Sequence, residues 1–133
     1  MQFKSNYQGR LRTSIMHQVS GDTLLTDAPK DNKGQGETFS PTDLVAAALG
    51  SCIATIMGIE ADKMNIDLNA LTWSTTKEMQ THPRTIGKIK VHFSWKNCEI
   101  SFEQRILLKN KGLACPVTLA LSPNIIQEIT FDF

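Results

Sequence analysis

No charge of either sign dominates this chain. Its 14 Lys and Arg stand against 13 Asp and Glu, a formal net charge of +1 over 133 residues. That excludes the one-sided basic field that nucleic acid or an anionic membrane demands, so no nucleic-acid partner is expected. No run of like charge is long enough for an interaction tail. The opening MQFKSNYQGR lacks the apolar core of a signal peptide, so cytoplasmic residence is expected. The longest apolar segment, Leu44 to Ile59, is shorter than the roughly 20 residues of a membrane span, so the chain is read as soluble, with no membrane partner. The histidines His17, His82 and His92 are scattered, without zinc-site spacing, so neither a metal nor a cofactor is expected. Only three cysteines are present, too few for a disulfide framework in an unexported chain. They point to thiols or redox work.

What is there reads as one α+β domain over residues 1–133, without internal repeats or low-complexity segments. GRLRTSIMH and GDTLLTDAP alternate as strands about a turn at Gly21-Asp22. Arg10 and Arg12, two apart on the first of these, are expected to share a face. The loop PKDNKGQGE leads to a helix with Ser40 as N-cap, Pro41 at its first position and Asp43 placed to close a capping box. The helix is expected to fade near DKMNID. In KIKVHFSWK, Ile89, Val91, Phe93 and Trp95 face one way and Lys88, Lys90, His92 and Ser94 the other, a sheet buried on one side. ALTWSTTKEMQ is its hairpin partner through THPR, and WKNCE is a further turn. ISFEQRILLKNK has helical spacing at Phe102, Ile106 and Lys109, with Gly112 as its end. CPVTLALS is read as a short helix and EITFDF as a last strand.

The helix after Ser40 raises a packing problem. From Leu44 to Ile59 its only polar side chains are Ser51, Cys52 and Thr55. A helix apolar all round must be enclosed all round, and one small sheet with two short helices covers one side. A homodimer follows as the expectation, with Gly50, Gly58 and the alanines Ala46, Ala47, Ala48 and Ala54 permitting close helix–helix approach.

Cys52 lies about three turns into that helix, beyond the reach of the helix dipole, and a buried unassisted thiol is inert. Alone it is read as a small core residue. Cys115 differs: Pro116 suits a first helical position, leaving Cys115 at the cap, where dipole and free amides favour a thiolate. It is equally a plain cap residue. Cys98, in the WKNCE turn, is read as incidental. Whether Cys52 and Cys115 meet is left open by spacing alone.

SPTDLVAAALGSCIATIMGI followed much later by ACPVTLALSPNI resembles the OsmC/Ohr family of thiol-dependent peroxidases, with a cysteine in the central helix and a second in a Cys-Pro motif. TDAPKDNKGQGETFSPTDL and PRTIGKIKV are similar to its broader OsmC-like branch. The resemblance covers nearly the whole chain. It implies an OsmC-like fold, antiparallel sheets wrapping a long buried central helix in an intertwined homodimer with sites at the subunit interface. It further implies that Cys52 is the peroxidatic nucleophile, oxidised to a sulfenic acid by a small hydroperoxide. Cys115 then closes a disulfide that an external dithiol reduces. The family's activating carboxylate matches Asp43, where the best-studied branch has glutamate; capping and catalysis both remain open for it. The family's arginine has no counterpart in PKDNKGQGE, which leaves Arg10, Arg12 and Arg84 as candidates, the last with a structural ion pair to Glu78 as the alternative. Two other functions stay open. One is a non-catalytic protein that binds a small apolar ligand or senses redox state, and the other treats both cysteines as packing.

Overall fold

Capping decides where the longest element begins. In the computed structural model, which describes residues 2–96 and 98–133, helix α1 spans Pro41–Lys63. The Ser40 N–H donates to Asp43 Oδ2 at 2.8 Å and the Asp43 N–H to Ser40 Oγ at 3.1 Å. This is the expected capping box, closed by aspartate. The chain forms two compact units, Met1–Val45 and Ala46–Phe133, divided within α1.

The first unit carries an antiparallel sheet of β1 (Phe3–Gly9), β2 (Arg12–His17) and β3 (Thr23–Asp27) in that order. β1 is an addition to the expected order of elements. It precedes a turn at Arg10 and Leu11, whose φ angles of 53° and 61° are both in the left-handed region. Such mirror-image turns match the twist of a hairpin. Arg10 therefore sits in the turn, not on a strand face with Arg12.

In the second unit β4 (Thr72–Gln80) and β5 (Thr85–Ser94) form the expected hairpin. Alternation on β5 holds: Ile89, Val91 and Phe93, with Trp95 beyond the strand, are buried. Helices α2 (Phe102–Leu113) and α3 (Pro116–Ala120) lead to β6 (Ile126–Asp132). β6 runs parallel to β5, pairing Lys88 with Ile126 through Ser94 with Asp132. This sheet is thus mixed, because the two helices return the chain to the end of β5 from which it started. The turn expected at WKNCE includes Asn97, outside the described residues.

Ala46, Leu49, Ile53, Met57 and Ala61 of α1 recur at helical spacing and are buried with Ile89, Val91, Phe93, Leu108 and Cys115 in one core. Full burial of Leu49, Ile53 or Met57 is worth about 1.5–3 kcal/mol each. Gly50 lets β4 come close, since a Cβ there would lie 2.8 Å from Trp73 Nε1. Its clearance serves the sheet, whereas Gly58 faces open space. Gly112 lies inside α2 rather than after it; a Cβ there would meet Met57 Cγ at 2.8 Å and Ile53 Cγ2 at 3.0 Å. The buried face of α2 is accordingly Leu108 and Gly112, while Phe102 and Ile106 are exposed. The expected stripe was the wrong one, because the close approach of α2 to α1 selects the glycine side.

Ala47, Ala48, Ser51, Thr55 and Ile59 on α1 are exposed. One chain therefore encloses only one face of the helix. By length and composition α1 also suffices to cross a bilayer, a test that the 44–59 run alone did not meet. A core helix meets the same test, and the fully covered Leu49, Ile53, Met57 and Ala61 are packed as a core.

Candidate active site

The two thiols that sequence spacing could not connect are neighbours. Cys52 lies on α1 and Cys115 caps α3, and the two side chains interact directly. Both are free thiols. Cys52 is half-buried, whereas Cys115 is closed off entirely. The pair forms because α3 starts immediately after α2, and Gly112 lets the end of α2 press against Met57 and Ile53. Cys115 is thereby delivered beside the middle of α1.

Cap chemistry separates the two sulfurs. The Thr118 N–H donates to Cys115 Sγ at 3.4 Å, and Thr118 Oγ1 lies 3.2 Å from the same sulfur. Burial opposes a Cys115 thiolate, but the Thr118 hydroxyl and amide, with Cys52 and the Val117 amide, together outweigh it and hold the Cys115 pKa below the ordinary thiol value. Burial raises the Cys52 pKa, the Val117 amide opposes it in part, and the neighbouring Cys115 raises it further. These directions agree with the expectation of a cap-stabilised thiolate at Cys115 and with that of a weakly acidic Cys52. Thr118 was not among the residues expected in the site, although its place three residues after a cap is the position from which an amide and a hydroxyl can reach it.

Arg12, in the first unit, belongs to a network of its own. Its Nε and Nη2 donate to Asp27 Oδ1 and Oδ2, both at 2.7 Å, and Nη2 also reaches Glu37 Oε2 at 2.6 Å. The Glu37 N–H donates to Asp27 Oδ2 at 3.0 Å. Asp27 is 1% exposed. Hydrogen bonds from Arg12 hold its carboxyl below the usual range, and both carboxylates raise the Arg12 pKa. One guanidinium is thus shared by two carboxylates, neither of which the sequence marked. Asp43 is engaged in the capping box at the first turn of α1. Arg84 occupies the exposed turn between β4 and β5. Glu78 is engaged by Lys90, 2.6 Å away, and more loosely by Lys88 at 3.9 Å.

Cys98 is half-buried, and its carbonyl accepts from Arg105. A cleft of about 480 Å³ lined by Asn65, Asp67, Trp95 and Glu99 among others includes neither Cys52 nor Cys115. Among the described residues no cluster of three or more His, Cys, Asp or Glu could hold a metal ion.

An α+β frame that brings a helix thiol against a Cys-Pro thiol defines the class. The family model for OsmC-like protein matches residues 34–130, and the chain belongs to that family. A crystal structure from Psychrobacter arcticus 273-4, provisionally described as an osmotic stress induced and detoxification response protein, is 40% identical. The match covers 99% of this chain and 96% of that one, with a TM-score of 0.94. The organic hydroperoxide resistance protein OsmC of Legionella pneumophila is 16% identical, with 100% and 98% coverage and a TM-score of 0.75. An organic hydroperoxide resistance protein of Elizabethkingia anophelis is 14% identical, with 99% and 96% coverage and a TM-score of 0.71. The latter two likenesses concern the fold. No curated protein matches the chain.

Proposed function

We propose that this chain is a thiol-dependent peroxidase that reduces organic hydroperoxides in oxidative stress defence. The observation that carries this reading is the contact between Cys52 and Cys115, brought together from two distant parts of the sequence. Cys52, the only one of the two with a path to solvent, attacks the distal peroxide oxygen. The O–O bond breaks, the alkoxide leaves as an alcohol after taking up a proton, and Cys52 becomes a sulfenic acid. Cys115 attacks that sulfur, the hydroxyl departs as water and a disulfide forms. An external dithiol then restores both thiols.

The working unit of this reading is a cytoplasmic homodimer. The exposed Ala47, Ala48, Ser51, Thr55 and Ile59 of α1 are the surface a second copy would cover. Arg12 and Arg84 are the cations assigned to activation, with Asp43 as the carboxylate; separate Arg12→Lys and Arg84→Lys variants identify which one the peroxide step needs.

The test is to add one equivalent of tert-butyl hydroperoxide to the reduced protein and map disulfides by mass spectrometry. A Cys52–Cys115 bond is expected, with dithiol-driven hydroperoxide consumption abolished in Cys52→Ser. Unchanged consumption in that variant rejects the reading. A second reading, a non-catalytic ligand-binding or redox-sensing protein, is favoured by two observations: the raised Cys52 pKa and an Arg12 already bound by two carboxylates. It requires slow, substoichiometric oxidation, and rapid turnover with a dithiol rules it out.

A further inference from the structure

The peroxidase reading requires that something reduce the disulfide, and the two sulfurs differ sharply as targets. Cys115 has no exposed surface within its own chain. A second copy docked without change of this fold can only add cover to it. Cys52 is partly open. Thr118 adds a chemical asymmetry, because its N–H and hydroxyl converge on Cys115 Sγ, whereas among the described residues Cys52 has the backbone amide of Val117 and no hydroxyl. Thr118 is itself fixed: Gln127 on β6 donates from Nε2 to its carbonyl at 3.0 Å.

We propose that the reductant attacks Cys52, forming its mixed disulfide there, and that Cys115 is the leaving group, with Thr118 as the positioning residue that receives the departing charge. This rests on the peroxidase reading only for the origin of the disulfide. The incoming thiolate bonds to Cys52 Sγ as the Cys52–Cys115 bond breaks. The electron pair goes to Cys115 Sγ, which departs as a thiolate into the hydrogen bonds of Thr118. The second thiol of the reductant, as thiolate, attacks its partner sulfur in the mixed disulfide. Cys52 is expelled as a thiolate and takes a proton from solvent. The dithiol loses two electrons and the cysteine pair gains two. In thiol–disulfide exchange both access and stabilisation of the departing thiolate set which sulfur is attacked, and the exposure of Cys52 and the Thr118 hydrogen bonds to Cys115 both favour Cys52.

The test uses the full chain carrying Cys98→Ser, oxidised with diamide so that no peroxide chemistry is needed. Cysteamine, a monothiol that stalls at the mixed disulfide, is added and quenched with acid. Denaturing alkylation with N-ethylmaleimide and peptide mapping follow. Cysteamine is expected on Cys52 and maleimide on Cys115. Cysteamine on Cys115, or no disulfide after diamide, overturns the proposal. Thr118→Val is expected to slow cysteamine attack severalfold, because a leaving thiolate deprived of its hydroxyl hydrogen bond departs less readily. Thr118→Ser is expected to restore the rate, and an unchanged rate in Thr118→Val removes Thr118 from the mechanism. Cysteamine on Cys52 in a protein that consumes no hydroperoxide would sink the peroxidase reading and leave this one standing.

Discussion

Oxidation of the Cys52–Cys115 pair changes stability by an amount that the chain topology sets. The two residues are 63 positions apart. A cross-link closing a loop of that size removes denatured-state entropy worth about 4 kcal/mol at 25 °C. For 133 residues, the unfolding entropy is roughly 280 cal/mol/K, at about 2.1 per residue. The upper limit of the gain in Tm is then roughly 15 °C. Strain in the closed bond lowers it, since the α1 backbone is rigid and α3 must supply the adjustment. Differential scanning calorimetry of diamide-oxidised and reduced protein, at one protein concentration, measures the difference. A higher Tm on oxidation is expected in the parent and in Cys98→Ser, and no change in Cys52→Ser or Cys115→Ser. If the oxidised parent melts no higher than the reduced one, the two sulfurs are not placed to bond without distortion, and the candidate site loses its basis. If Cys98→Ser abolishes the shift, the bond is a different one.

Gly112→Ala inserts a methyl 2.8 Å from Met57 Cγ. The overpacking cost of about 1–3 kcal/mol exceeds the helix gain of about 1 kcal/mol, so urea unfolding should show a net loss, and a stabilised variant would refute the packing argument. Asp43→Ala removes the side-chain half of the capping box and should cost about 1 kcal/mol by the same assay, with Asp43→Glu retaining most of it. Asp27 has a depressed folded pKa. Its contribution to stability is therefore present above the unfolded value of about 3.9 and lost as pH falls through the lower folded value. Melting temperatures between pH 5 and pH 2 should fall more steeply for the parent than for Asp27→Asn. Equal slopes would mean that the Arg12 pair does not survive in solution.

Periodicity and caps were legible because they are local. Ser40, Pro41 and Asp43 announce the start of α1, Cys115-Pro116 that of α3, and Ile89, Val91 and Phe93 the buried side of β5, each through interactions within a few residues of chain. β1 escaped because its Phe3 and Tyr7 are separated by three polar residues on a strand that is exposed through Gln8, leaving no alternation and no run of buried positions to mark it. Arg10 was misplaced because a left-handed turn at Arg10-Leu11 uses neither glycine nor asparagine. Gly112 looked like a terminator because a glycine within a helix has no local purpose; its purpose is in α1.

The sequence by itself determined where α1 and α3 begin and which side of β5 is buried, that α1 is too apolar to stand alone, and that Cys115 would sit in a cap. Only the tertiary structure decided that α2 turns its glycine side to α1, that β6 joins β5 in parallel and that Arg12 is held between Asp27 and Glu37. It alone joined Cys52 to Cys115. Caps and periodicity are encoded in neighbouring residues, whereas a contact across 63 positions depends on how every element between them packs.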